Sequence, residues 1–262
     1  MDSGAGAGGI QINAGHEEHF GAAGGGTAHG RLNGGGPFRQ VCGLGKERDK
    51  LRYDLGREQL ASTRVQNVFQ DIVTDRLILR DLAPADAEFM LLYRSDPEVS
   101  RYQSWEPASV DRLRSYFEEL AGMDPDTPGC WYQLGIALRS GGELIGDCGI
   151  HILEDSRLAE IGITVAPRFQ RRGYATEALR ATVGYLFDKL RKYRISASID
   201  PRNTGSIRLM QGLGFRQEAH MIGSLWFKGQ WVDDVVFAML AREWADQQSR
   251  GNDPTLTVKG AG

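Results

Sequence analysis

From Val73 to Leu240 the apolar side chains switch repeatedly between a period of two and a period near 3.6, and each switch marks a change of element. Thr74-Asp75-Arg76-Leu77-Ile78-Leu79-Arg80 alternates as a half-buried strand does. Pro84 suits a first helical turn, and Phe89, Leu92 and Tyr93 give that helix one apolar face before Asp96-Pro97 stops it. Ser109 is placed to cap a second helix, whose stripe of Val110, Leu113, Phe117 and Leu120 ends at Gly122 and Pro125. The period then drops to two. Trp131 to Arg139 and Glu143 to Ile152 read as a hairpin around Ser140-Gly141-Gly142, followed by a turn at residues 154–157 and a strand from Ala159 to Val165. Leu179, Val183, Leu186, Phe187 and Leu190 restore the helical period. A strand from Tyr193 to Ile199, a short helix from Ser206 to Gln211 and strands Phe215 to His220 and Val232 to Leu240 complete the series, the last pair bracketing a turn at Lys228-Gly229. The order predicts a mixed α/β (α+β) domain with several antiparallel strands, not a doubly wound dinucleotide fold.

Composition sets the limits of that domain. Residues 1–70 are glycine-rich at first (GAGAGG, GAAGGG, GRLNGGGP) and then charged, too poor in apolar side chains to repay the entropy of ordering, so a disordered extension is expected there. Leu51, Tyr53 and Leu55 hint at a short docking helix that Gly56 weakens. His16, His19 and His29 lie in the extension without cysteines or fixed geometry, which makes solvated histidines a better reading than a metal tract. The folded domain is expected over residues 71–246, with a flexible tail over 247–262. A formal charge of −3 supplies no basic surplus for nucleic acid or an anionic membrane. Cys42, Cys130 and Cys148 are too far apart in sequence to suggest a metal or redox motif. No apolar run approaches the roughly 18 residues that span a bilayer, and no leader pattern opens the chain, so a cytoplasmic protein is expected.

Candidate chemistry gathers in one place. The strand Ala159-Glu160-Ile161-Gly162-Ile163-Thr164-Val165 leads through Gln170-Arg171-Arg172-Gly173-Tyr174-Ala175 directly into a helix. Successive backbone N–H groups at a helix N-terminus, reinforced by the macrodipole, bind a pyrophosphate without a metal, and Gly173 keeps bulk away from it. Further on, Asn203 and Ser206 lie three apart at the start of a predicted helix, where plain capping by Asn203 also accounts for the pattern.

Taken together, these strings resemble the GNAT superfamily of N-acetyltransferases, in particular its RimJ/RimL-type ribosomal-protein members and their small-molecule-acting relatives. Besides the segments above, the resemblance rests on Asp96-Pro97-Glu98-Val99, Thr176-Glu177-Ala178-Leu179, Asn203-Thr204-Gly205-Ser206 and Leu213-Gly214-Phe215, and covers about Val73 to Trp244. It implies a mostly antiparallel sheet with helices on both faces, whose fourth and fifth strands splay apart to admit acetyl-coenzyme A. It further implies that Ile163, Thr164 and Val165 meet the pantetheine arm through main-chain groups and that Gln170, Arg171, Arg172, Gly173, Tyr174 and Ala175 hold the pyrophosphate. Asn203 would bind the pantetheine, Ser206 would stand near the leaving sulfur, and Glu160 would serve as the base, directly or through water. An exposed strand carboxylate is the plainer alternative for Glu160. The implied partners are acetyl-coenzyme A and a primary amine, either a protein N-terminus or a small molecule such as an antibiotic or polyamine, acetylated by direct attack in a ternary complex without a metal. A coenzyme-A-binding module without catalysis is a third reading. Monomer and homodimer are both compatible. Buried packing is expected for Cys148 rather than a covalent acetyl-cysteine, since no Cys–His–acid set accompanies it. Acceptor specificity is expected in residues 96–107 and 223–231, with Trp105, Trp226, Phe227 and Trp231 as its aromatic walls or as core.

Overall fold

A computed structural model describes residues 69–251 of the chain. In order, these form β1 (Ile72–Val73), β2 (Leu77–Asp81), α1 (Ala87–Arg94), α2 (Pro97–Ser100), α3 (Val110–Leu120), β3 (Cys130–Leu138), β4 (Leu144–Ile152), β5 (Leu158–Val165), α4 (Tyr174–Gly184), β6 (Arg194–Ile199), α5 (Thr204–Gly212), β7 (Arg216–Phe227), β8 (Gln230–Leu240) and α6 (Ala241–Gly251). The eight strands make one sheet in the order β1-β2-β3-β4-β5-β6-β8-β7. Neighbours are antiparallel except β5 and β6, which run parallel and pair only at Leu158–Arg194, Ala159–Ile195 and Glu160–Ser196. Beyond those three pairs the two strands separate.

The period-two alternation gives the sheet two unlike faces. One presents Leu134, Cys148, Ile150, Ile161, Ile163 and Ile195, all buried, and α4 closes it with Ala178, Leu179 and Val183. Full burial of side chains of this size is worth about 1.5–3 kcal/mol each, so this layer is the main source of cohesion. Cys148 belongs to it: Sγ lies 3.6 Å from Thr182 Oγ1 on α4, and burial pushes the thiol up to about 12. A thiol so placed is packing.

The other face is polar. By the registers of β3, β4 and β5 it carries Gln133, Asp147, Glu160 and Thr164. Helix α1 covers its β4 side. Tyr93 Oη, Gln133 Nε2 and the Arg94 guanidinium all donate to the Asp147 carboxylate, which is fully buried. Arg94 Nη1 donates to Gln103 Oε1 at 3.0 Å, and Gln103 Nε2 donates to Thr164 Oγ1 at 2.7 Å. Burial works against the Arg94 charge, but Asp147, joined by Tyr93 and Tyr116, outweighs it and raises its pKa. The chain between α1 and α3 is thereby fixed to β5.

Several elements depart from expectation for identifiable reasons. Helix α1 does end just before Asp96-Pro97, but the same pair also opens a further helix: Asp96 caps α2 by accepting from Glu98 N at 2.9 Å, and Pro97 occupies its first position. Strand β7 does not stop at His220. Two irregularities in its register with β8, one spanning Gly223 and Ser224, carry it to Phe227, and Asp233 Oδ1 accepts from Gly223 N at 2.8 Å. The frayed tail expected after residue 246 is helix α6 as far as Gly251, anchored by Trp244 against Phe187 and by Glu243, which accepts from Leu240 N at 2.7 Å. Helix α4 runs on into one wide turn in which Leu190 N donates to Tyr185 O at 3.1 Å. At the other end Phe69 is already buried against Tyr132 and Tyr185. The expectations for the glycine-rich segment, its histidines and the short helix before residue 69 lie outside the described residues, as does the tail beyond Gly251.

Removing one partner of a buried ion pair strands the other in low dielectric, at about 3–5 kcal/mol. Arg94→Ala should therefore lower the urea unfolding free energy by roughly that amount. A loss within the ordinary surface range would show that Asp147 is satisfied by Tyr93 and Gln133 alone.

Candidate active site

The site begins where β5 leaves β6. Leu153 N donates to Leu158 O at 3.1 Å and Ala166 N to Ile145 O at 2.9 Å, so the even-numbered residues of β5 turn their main-chain groups toward β4. The odd-numbered ones face the β6 side, where pairing ends at Glu160. Main-chain groups of Ile161, Ile163 and Val165 therefore line the gap. The resemblance implied a contact for Ile163, Thr164 and Val165 alike; the register separates them. Thr164 turns its backbone to β4 and its hydroxyl to Gln103. Val165 O is taken by Gln170 Nε2 at 2.8 Å, which leaves its N–H facing the gap and fixes Gln170 as a buttress of the loop. Gly146, opposite on β4, permits this arrangement: a Cβ there would sit 2.2 Å from Thr164 O.

The loop is shaped for a helix N-terminus open to a ligand. Gly173 stands at the N-cap of α4 with φ +79°, a left-handed conformation that costs glycine nothing, and Arg171 shares the left-handed region at φ 60°. Arg171, Arg172 and Gly173 are exposed, and Tyr174 and Ala175 half-buried in the first turn. A clamp from the turn between β1 and β2 holds them. Arg76 Nη1 donates to Arg172 O at 2.9 Å, its Nε donates to Glu177 Oε2 at 2.6 Å, and its guanidinium lies 4.6 Å from the centre of the Tyr174 ring. Glu177 also accepts from Thr74 Oγ1 at 2.6 Å and from Arg76 N at 2.9 Å. Burial opposes its charge, yet these hydrogen bonds hold its pKa below the ordinary value. Arg76 takes the Arg172 carbonyl, and the first amides of α4 lie at a helix start, where backbone N–H groups have no intrahelical acceptor.

Across the gap, Asn203 caps α5 by accepting from Ser206 N at 3.1 Å, so the plain capping role is real. Ser206 is different. Its Oγ is fully buried and has no hydrogen-bond partner among the described residues. A hydroxyl taken out of water and left unbonded costs free energy, and such groups mark strain or function. Glu160, the last β5 residue paired with β6, stands at the apex of the gap on the polar face, half-buried, with Oε2 3.9 Å from His151 Nδ1. The His151 ring stacks on Trp131 at 4.9 Å.

Sequence reasoning missed the Arg76–Glu177 clamp, the Asp147 network and His151. Asp147 did leave a signal, a lone charge inside the apolar run Leu144-Ile145-Gly146-Asp147-Cys148, which demands a buried partner. Of the expected aromatic walls, Trp105 lies under the Arg94 guanidinium at 4.3 Å and Phe227 is core, whereas Trp226 and Trp231 are exposed and packed edge-to-face at 5.4 Å. The two expected specificity segments do meet: Lys228 Nζ donates to Ser100 O at 2.7 Å and pairs with Glu106. Among the described residues no cluster of three or more His, Cys, Asp or Glu is placed to hold a metal, and no helix is long and apolar enough to cross a membrane.

A sheet opened at one parallel pair beside a glycine-started helix is the architecture of an acetyltransferase, and comparison with known proteins agrees. Residues 76–216 match the acetyltransferase (GNAT) domain family Acetyltransf_3. The uncharacterized N-acetyltransferase p20 of Bacillus licheniformis is 32% identical over 178 residues, covering 67% of this chain and 99% of that one. The [ribosomal protein uS5]-alanine N-acetyltransferase of Escherichia coli is 27% identical over 182 residues, covering 66% and 92%. A GNAT-family acetyltransferase structure from Bacillus anthracis superposes with a TM-score of 0.60 at 27% identity, covering 66% of this chain and 100% of that one. The chain belongs to the GNAT acetyltransferase family, and use of acetyl-coenzyme A with an amine acceptor follows from that membership.

Arg76→Ala should release the Arg172 carbonyl and loosen the loop without touching the core. Acetyl-coenzyme A affinity should fall by roughly tenfold, about 1.4 kcal/mol, with the melting temperature little changed. Calorimetry showing wild-type affinity would mean that the loop holds its shape unaided.

Proposed function

We propose that the protein transfers the acetyl group of acetyl-coenzyme A directly to a primary amine, and that the amine is a protein or peptide N-terminus. The observation that carries the reading is the buried, unpartnered Ser206 hydroxyl on the flank of the opened strand pair. Packing gives no reason to keep a polar atom there; a sulfur that gains charge in the reaction does. The groups present fit the coenzyme. The α4 N-terminus with Gly173 would take the pyrophosphate, main-chain groups of Ile163 and Val165 the pantetheine arm, and Asn203 its far flank.

When bound, acetyl-coenzyme A supplies a thioester carbonyl and a thiolate leaving group. This chain's residues would do the rest. Glu160 takes a proton from the incoming ammonium, directly or through water, because only the neutral amine is nucleophilic. A main-chain N–H of Ile163 or Val165 donates to the carbonyl oxygen as charge develops on it, a preorganised donor that costs no reorganisation. Ser206 Oγ donates to the departing sulfur. For the N-terminal acceptor the support is the Escherichia coli relative, which is a ribosomal-protein alanine N-acetyltransferase by its name.

Incubation with acetyl-coenzyme A and a panel of N-terminal peptides and small primary amines, read by thiol release and mass spectrometry, tests the reading. Acetylation of small amines alone would remove the N-terminal acceptor. Ser206→Ala tests the mechanism: kcat should drop by about 10²-fold, the low end for general acids because a coenzyme-A thiolate leaves readily, with coenzyme affinity unchanged. Deleting an unbonded buried hydroxyl should leave the melting temperature level or slightly higher. An unchanged kcat would sink the acid role.

A further inference from the structure

Asp86, Asp147, Asp200 and Asp234 are buried acids, none more than 8% exposed. Three of them meet an arginine: Asp86 meets Arg80 at 2.7 Å, Asp200 meets Arg202 at 2.6 Å, and Asp147 meets Arg94. Asp234 breaks the pattern. It is 5% exposed, yet among the described residues no basic side chain forms an ion pair with it, and its Oδ1 accepts from a neutral hydroxyl, Ser198 Oγ, at 2.6 Å. A carboxylate taken out of water is costly unless a cation meets it, and among the described residues each of the other three buried acids has one while Asp234 has none.

Its position says where the cation comes from. Ser196 is the last β6 residue paired with β5, and Ser198, two residues on, stands where the strands have parted. Alternation puts Ser196 and Ser198 on one face of β6, and Ser198 pairs with Val236 of β8, so Asp234 is the next residue of β8 on that same face. This is the polar face that carries Glu160 and Thr164, not the face under α4. The segment between α2 and α3 bridges both sides of the gap there: Gln103 donates to Thr164 on β5 at 2.7 Å, and Tyr102 Oη donates to Arg202 O past the end of β6 at 3.4 Å.

Resting on the acetyl-transfer reading above, we propose that Asp234, held by Ser198, is a subsite for a second positive charge on the acceptor, a group other than the amine that is acetylated. A carboxylate stabilises the ammonium beside it and so opposes loss of its proton. That suits a cation that does not react, while Glu160 at the apex serves the nitrogen that does. The acceptor is then a doubly charged amine: a peptide N-terminus followed by a basic side chain, or a linear diamine.

The test compares matched pairs by calorimetry on the full chain with coenzyme A present: Ala-Lys amide against Ala-Ala amide, and diaminopentane against pentylamine. The wild type should bind the doubly charged member of at least one pair about tenfold more tightly or better, and the pair that shows it identifies the source of the charge. Asp234→Asn should abolish that preference, leave coenzyme affinity unchanged, and keep or raise the melting temperature, since it removes a buried charge without changing shape. Equal binding within both pairs, or a preference that survives Asp234→Asn, overturns the proposal. If Asp234→Asn proves unstable, Ser198→Ala stands in its place, with the same loss expected and retention of the preference decisive against it. Because the readout is binding, absence of acetylation with every amine would count against the transfer reading alone.

Discussion

Everything in the site follows from one refusal to pair. A strand must satisfy its backbone groups, and in a sheet interior the adjacent strand normally does so. Here the parallel pair β5–β6 holds for three residues and then opens, leaving main-chain groups of β5 directed at a gap. Such an edge inside a sheet is unstable unless the surroundings prevent closure. Gly146 draws β4 against the far side of β5, Gln170 occupies the last carbonyl, and Gln103 fixes Thr164 from above. The gap is braced open on three sides, and a ligand's amide groups can complete the ladder that β6 abandons.

The two faces of the sheet divide the labour around that gap. Under α4 the face is apolar and needs nothing but volume. The opposite face carries carboxylates, each of which must be answered in a low dielectric. Arg94 answers Asp147 and, through Gln103, ties the segment between α1 and α3 to the strand whose amides line the gap. Core stability and acceptor-side geometry therefore share the same residues. A change at Arg94 reaches both the core and that segment, whereas the Arg76 clamp, on a surface loop, touches only the loop before α4 and its first turn.

How much of this was legible in the sequence depended on whether a feature was local. The hairpin at Ser140-Gly141-Gly142, the Ser109 cap and the strand-to-helix turn at Gln170 to Ala175 are written in consecutive residues, and the structure has these local shapes. Asp96-Pro97 marks the end of α1 as read, and only the start of α2 was missed, because a proline that ends one helix can equally begin the next. The continuation of β7 through Gly223 was hidden because irregular register destroys the alternation on which strand reading rests. Asp147 and Asp234 show the deeper limit. Each was visible as a charge in a strand, but whether it is answered by Arg94, 53 residues earlier, or only by Ser198 is a fact of register and packing that no window of sequence contains.

The same distinction separates the coenzyme half of the site from the acceptor half. In the proposed reading coenzyme recognition uses backbone amides, a glycine and a helix end, which tolerate little variation and leave a recognisable string. In the proposed reading acceptor recognition falls to side chains on segments 96–107 and 223–231, which meet through Lys228, Ser100 and Glu106, the second of them at the end of the β7–β8 hairpin. Substitution in 223–231 leaves the braces at Gly146, Gln170 and Gln103 in place, whereas in 96–107 Gln103 itself has to be kept. A fold built this way can exchange acceptors while keeping its chemistry. On that ground relatives at 32% and 27% identity establish the reaction more firmly than the amine, and the identity of the amine is argued from charges such as Asp234, which meets no cation among the described residues.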